Sequence, residues 1–74
     1  MNSTQIPDKE YLNPYEVQEH LRNAFGIYKS IQTIYRWCDE GKLENLKIMG
    51  SVVIPKKSYI EFVIEAYRIH KISS

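Results

Sequence analysis

The chain holds a single cysteine, Cys38, in 74 residues. A lone thiol excludes an internal disulfide and a cysteine zinc cluster, and it suits a protein kept in a reducing, cytoplasmic compartment. No apolar run approaches the ~20 residues of a membrane-spanning helix, and the first residues lack the basic-then-apolar order of a secretory signal, so no membrane partner is expected. Glycine is scarce: the three glycines stand singly, and no glycine-rich loop is available to cradle a phosphate. His20 and His70 are far apart in sequence, with no further ligand at metal spacing, so no metal site is expected. A domain this small buries only roughly 60% of its unfolded surface, which leaves little room for an enclosed catalytic cavity.

The remaining candidates for catalysis have simpler readings. Cys38 beside Trp37 reads as a small buried hydrophobe. Asp39, Glu40 and Glu44 flank a helix end and read as a solvated face. His20 lies one helical turn from Glu16 and reads as a surface pair. The expectation is a protein with no catalytic residues and no cofactor.

Net charge is only +1, but its order along the chain is informative. Residues 1–19 carry a net of −3, residues 22–57 a net of +4, and residues 58–74 balance to zero. An electropositive middle suits an anionic partner, although scattered cations also occur on ordinary solvated surfaces.

Residues 1–10 are polar, include Pro7, and read as a flexible acidic leader. Residues 11–74 read as one domain. Its first helix has an N-cap in Asn13, a first-turn proline in Pro14 and the third residue of a capping box in Glu16. Leu12 and Val17 stand where a hydrophobic staple closes a helix start, and the stripe Val17, Leu21, Ala24 follows with Phe25 beside it. Gly26 ends the helix. After a short turn, Ser30 caps a second helix over 31–40 that buries Ile34, Trp37 and Cys38 and stops at Gly41. Ile31 stands either in the core or at the exposed rim.

The period then changes. Leu46, Lys47 and Ile48, then Val52, Val53 and Ile54, alternate as two short strands around Met49-Gly50-Ser51. Leu46 and Ile48 are expected to face the core with Val52 and Ile54, leaving Lys47 and Val53 outside. Pro55 leads into a last helix over 57–71. That helix has two apolar stripes: Ile60, Val63, Ile64, Tyr67 on one side, and Tyr59, Phe62, Ala66, Ile69 on the other. One buried stripe is enough for a terminal helix. The second is a candidate protein-contact surface, for a neighbouring copy or a partner protein, unless it packs against the first helix and the leader.

The order helix, turn, helix, hairpin, helix is mainly α with a small β-hairpin, and it matches a winged helix-turn-helix in which the second helix enters a DNA groove. The first turn of that helix, at Ser30, offers free N–H groups to a phosphate. Gln32 has the donor and acceptor that pair with adenine, and Arg36, one turn on, suits guanine or a phosphate. Lys47 and Gly50 give the hairpin a basic flank and a tight tip, while Lys42, Lys56 and Lys57 are candidates to grip the backbone. Each feature also has a purely structural reading: Gln32 and Thr33 as helix surface, Arg36 paired with Glu40, the hairpin as a cap on the core.

Ser30-Ile31-Gln32-Thr33-Ile34-Tyr35-Arg36-Trp37, then Gly41-Lys42-Leu43, then Ile48-Met49-Gly50-Ser51-Val52-Val53-Ile54-Pro55, resembles the excisionase-type and MerR-type winged helix-turn-helix domains. The likeness spans roughly residues 11–63. It implies that the Ser-x-x-Thr-hydrophobe-Tyr-Arg-Trp stretch is a recognition helix and that the glycine-bearing hairpin ending in Ile-Pro-Lys is a wing. DNA contacts would then fall on Ser30, Gln32, Thr33, Tyr35 and Arg36, with Lys47, Gly50 and Ser51 on the wing. Two departures stand out: the turn between the helices is longer than is usual in that family, and Ile31 replaces a polar or basic residue. Short members resemble recombination directionality factors, which bend DNA and assist an integrase in excision. Others resemble small transcriptional regulators of mobile elements. The resemblance thus implies double-stranded DNA as partner, with an integrase or recombinase and self-association on adjacent sites as further expectations. A protein-interaction adaptor working through its last helix is the alternative from another class.

Overall fold

Local capping chemistry sets the helix boundaries. In this computed structural model, which describes residues 9–67, helix α1 spans Pro14–Phe25 and begins with a complete capping box. The Asn13 side chain accepts from the Glu16 N–H at 2.8 Å, and the Asn13 N–H donates to Glu16 Oε1 at 2.9 Å. Gly26 ends the helix at φ 69°, a left-handed value that glycine adopts without a Cβ penalty. Ile27 then donates its N–H to the Leu21 carbonyl at 3.1 Å and packs against the core. Helix α2 spans Ile31–Asp39 and is capped by Ser30, whose side chain accepts from the Thr33 N–H at 3.2 Å. Helix α3 spans Lys56–Tyr67; the remainder of the predicted 57–71 helix lies outside the described residues.

The described residues form a small α/β domain of three helices and a three-stranded antiparallel sheet, more β-rich than a bare hairpin. The added strand, β1 (Tyr11–Leu12), pairs with β3 (Ser51–Pro55), which also pairs with β2 (Leu46–Ile48), giving the order β1-β3-β2. The sequence predicts no strand ahead of α1, because two residues carry no periodicity. Lys9 and Glu10 are likewise tied down rather than part of a free leader. Lys9 pairs with Glu16 at 2.8 Å, and the Lys56 N–H donates to the Glu10 carbonyl at 2.8 Å. The rest of the expected leader lies outside the described residues.

The hairpin differs from expectation by one residue of register. A loop of Met49-Gly50-Ser51 would set Ile48 opposite Val52. The turn instead uses Met49 and Gly50 alone, at φ 52° and 82°, the two positive values that a type I′ turn requires. Ser51 joins β3 opposite Ile48, Val52 stands opposite Lys47, and Val53 opposite Leu46. A one-residue slip exchanges the faces of a strand. Leu46 (44% exposed) and Ile48 (50%) therefore lie on the outer face with Val53, and Lys47 lies on the face shared by Val52 and Ile54, beyond the core and in solvent.

The core joins every element except β2. Leu12, Val17, Leu21, Ile34, Leu43 and Ile54 are fully buried, with Cys38, Tyr59 and Val63 beside them. Each such aliphatic side chain is worth roughly 1.5–3 kcal/mol in transfer terms, so this small set accounts for much of what holds the domain together. Ile31 and Trp37 are half-buried against it.

On α3 the buried line runs between the two predicted stripes. Tyr59 and Val63 are buried, and Phe62 packs on Trp37 with ring centroids 4.9 Å apart. Of the residues expected to contact another protein, Tyr59 and Phe62 therefore serve the core, Ala66 is exposed, and Ile69 lies outside the described residues. The exposed apolar pair is Ile60 and Ile64. His20, expected as a surface pair with Glu16, is half-buried against Tyr59. Its Nδ1 lies 2.7 Å from the Tyr59 hydroxyl, and its ring meets Phe25 and Tyr59 edge-on at 5.5 Å. Burial, with a smaller contribution from Tyr67, pushes the Tyr59 hydroxyl well above its ordinary pKa and keeps it neutral. No helix among the described residues is long and apolar enough to cross a membrane.

Candidate nucleic-acid interface

Helix α2 presents a narrow polar stripe. Ile34 and Cys38 face the core, which turns Gln32, Tyr35, Arg36 and Asp39 outward at helical spacing. The preceding turn is held by the Gln18 amide, whose Nε2 donates to the Lys29 carbonyl at 2.9 Å. Longer loops lose more entropy on ordering, and this bond offsets part of that cost for an extended inter-helix turn. It also fixes the start of α2 relative to α1.

At that start, Ser30 and Thr33 are occupied with each other. Their hydroxyl oxygens lie 3.1 Å apart, and Ser30 Oγ receives the Thr33 N–H. Their role in the structure is to hold the cap. The N–H groups of the first turn that precede Thr33 have no intrahelical acceptor, and they point along the helix axis at the positive end of its dipole. Gln32 is exposed one residue inside this end, and Arg36 follows one turn later.

Arg36 is not engaged by Glu40. Glu40 is instead bonded by Lys42, Nζ to Oε1 3.4 Å, and Arg36 has no ion-pair partner among the described residues. Lys29, Lys47 and Lys57 share that unpaired state. Unpaired exposed cations keep their full charge available to an external anion, whereas Lys42 is already compensated. Lys42 also borders an open hollow of about 500 Å³ with Glu44, Ser58, Glu61 and Glu65 around it. Acidic surroundings make it the weakest of the predicted phosphate contacts.

The β2–β3 hairpin supplies the second group. Lys47, Gly50 and Ser51 are all exposed there. Lys56 and Lys57 open α3 beside Glu10, Tyr11 and Pro55, where Lys57 is exposed and Lys56 half-buried. The elements carrying α2 and the hairpin meet through the core, which contains Ile34 and Cys38 from one and Ile54 from the other, with Val52 packed against it.

Two exposed side chains beside these groups were not among the contacts expected from the sequence. Tyr28, 75% exposed, stands in the turn just ahead of α2. Met49 forms the hairpin tip at 97% exposure. Asp39 closes the outward stripe of α2 with a negative charge, which favours approach of a polyanion at the N-terminal half of the helix. An aromatic in a polar turn and an apolar residue beside a glycine were the available signals for Tyr28 and Met49.

Cys38 is buried, and burial, reinforced by Asp39, pushes its thiol pKa up, which leaves it protonated. No family model matches the chain, and neither a curated protein nor a solved structure matches it.

Proposed function

We propose that the chain is a winged helix-turn-helix protein that binds double-stranded DNA without catalysing a reaction on it. Helix α2 enters the major groove by its N-terminal half. Gln32 and Arg36 read base edges, Tyr35 packs beside them, and the first-turn N–H groups take a phosphate. The β2–β3 hairpin serves as the wing, with Lys47 on the backbone and Gly50 and Ser51 at close approach. Lys56 and Lys57 add phosphate contacts.

The observation that carries this reading is Arg36. It is exposed beside Gln32 on a helix fixed by cap and core, and the carboxylate that a purely structural role would give it is bonded to Lys42 instead. Within DNA-binding proteins, the resemblance favours an excisionase-like accessory factor that assists a recombinase in excising a mobile element. A small regulator of such an element would use the same DNA face. The exposed pair Ile60 and Ile64 on α3 is a surface available to a protein partner in either role.

The test is selection of bound sequences from a random duplex library, followed by affinity measurements across salt. A defined motif is expected, with log affinity falling against log salt by roughly 0.9 for each phosphate neutralised. Arg36→Ala should cost roughly 1–3 kcal/mol on the selected duplex and much less on random DNA. No enrichment from the library would overturn the reading.

A further inference from the structure

The hairpin tip is chemically odd. Both turn residues have positive φ, a conformation suited to Asn, Asp or Gly, yet the first is Met49 at φ 52°. Its side chain gains nothing from the fold in return, since it is 97% exposed. Backbone strain and solvation therefore both oppose methionine here. Ile48, half-exposed, flanks it on one side, and Gly50 follows with nothing within 4 Å of the place a Cβ would occupy. Lys47, exposed and without an ion pair among the described residues, lies one residue further back on the opposite face.

We propose that Met49 is a wedge that inserts from the minor groove between two base pairs and kinks the duplex. This rests on the DNA-binding reading above and deepens it. An unbranched, flexible, polarisable side chain can follow the narrow minor groove and slide into an opened base step. Gly50 lets the backbone of the tip come close, Ile48 meets the sugars beside the opened step, and Lys47 supplies a charge for the flanking phosphates. Insertion is easiest at pyrimidine–purine steps, which unstack most readily. Selected sites should therefore contain such a step at a fixed distance from the bases read by α2. Because Met49 carries no charge, its removal changes affinity without changing the number of phosphates neutralised.

The experiment uses the full chain and selected duplexes carrying 2-aminopurine at successive positions, whose fluorescence rises when a base unstacks. The wild type should brighten one step, always a flexible one, and bring the duplex ends closer by energy transfer. Met49→Asn, a residue the turn prefers, should remain folded by circular dichroism and still bind with an unchanged salt slope. It should lose both the brightening and the shortening, and Met49→Leu should retain them. If the wild type binds but no step brightens, or if Met49→Asn brightens it equally, the wedge is overturned while DNA binding stands. If the wild type binds no duplex, both fail. A Met49-dependent self-association in sedimentation without DNA would then assign the tip to protein contact.

Discussion

The strained turn gives a stability prediction free of packing effects. Met49 is almost fully exposed, so replacing it removes no buried surface, and its φ of 52° is a cost the folded state alone bears. A left-handed residue with a Cβ costs about 1–2 kcal/mol, and asparagine relieves part of that through local hydrogen bonding. Met49→Asn should therefore stabilise the domain by about 0.5–1 kcal/mol. At about 4–8 °C per kcal/mol for a domain of this size, the melting temperature rises by about 2–8 °C. Gly50→Ala is the opposing control. Its φ is 82° and the added methyl meets nothing within 4 Å, so it should lower stability by about 1 kcal/mol through backbone strain alone. Thermal melts followed by far-UV circular dichroism, with urea midpoints compared at equal slope, measure both. An unchanged or lower melting temperature for Met49→Asn would refute the type I′ geometry and the register derived from it.

Other perturbations test separate parts of the structure. Leu43→Ala removes a fully buried side chain from the loop after α2 and should cost about 2–5 kcal/mol, enough to unfold much of so small a domain, as seen by loss of the cooperative melt. Partial burial disfavours the charged form of Glu16, but the Lys9 hydrogen bond, the Asn13 N–H and the Lys9 charge outweigh it and hold the carboxyl below its ordinary 4.5. Its contribution to stability is thus present above the unfolded value and lost as pH falls through the lower folded value. The stability gap between wild type and Glu16→Gln should accordingly close in acid, and a gap independent of pH would remove the charge from the capping box. Lys47→Ala should weaken binding to all duplexes alike and lower the magnitude of the salt slope by about 1. A sequence-selective loss would make Lys47 a base reader.

The parts of this fold that were legible in the sequence are those set by neighbours along the chain. Asn13, Glu16, Gly26 and Ser30 act within three or four residues of themselves, and each occupies the predicted capping role. Long-range choices were not legible. The hairpin was evident from Gly50, but its facing depended on whether Ser51 belonged to the loop or the strand, and local composition does not decide that. The two apolar sides of α3 were equivalent in sequence until Trp37 took Phe62 and His20 took Tyr59. For the candidate interface, residue types named Gln32, Arg36 and Lys47, but only the structure gives Glu40 to Lys42 and leaves Arg36 without an ion pair among the described residues.

The proposed function requires that α2 and the hairpin tip meet DNA together. Amide and side-chain shift mapping of the labelled chain, titrated with a selected duplex, tests it most directly. The largest shifts should fall at Gln32, Tyr35 and Arg36 and, at the same DNA ratio, at Lys47, Met49 and Gly50. Shifts confined to α3 around Ile60 and Ile64, with α2 and the tip unmoved, would contradict the proposed function.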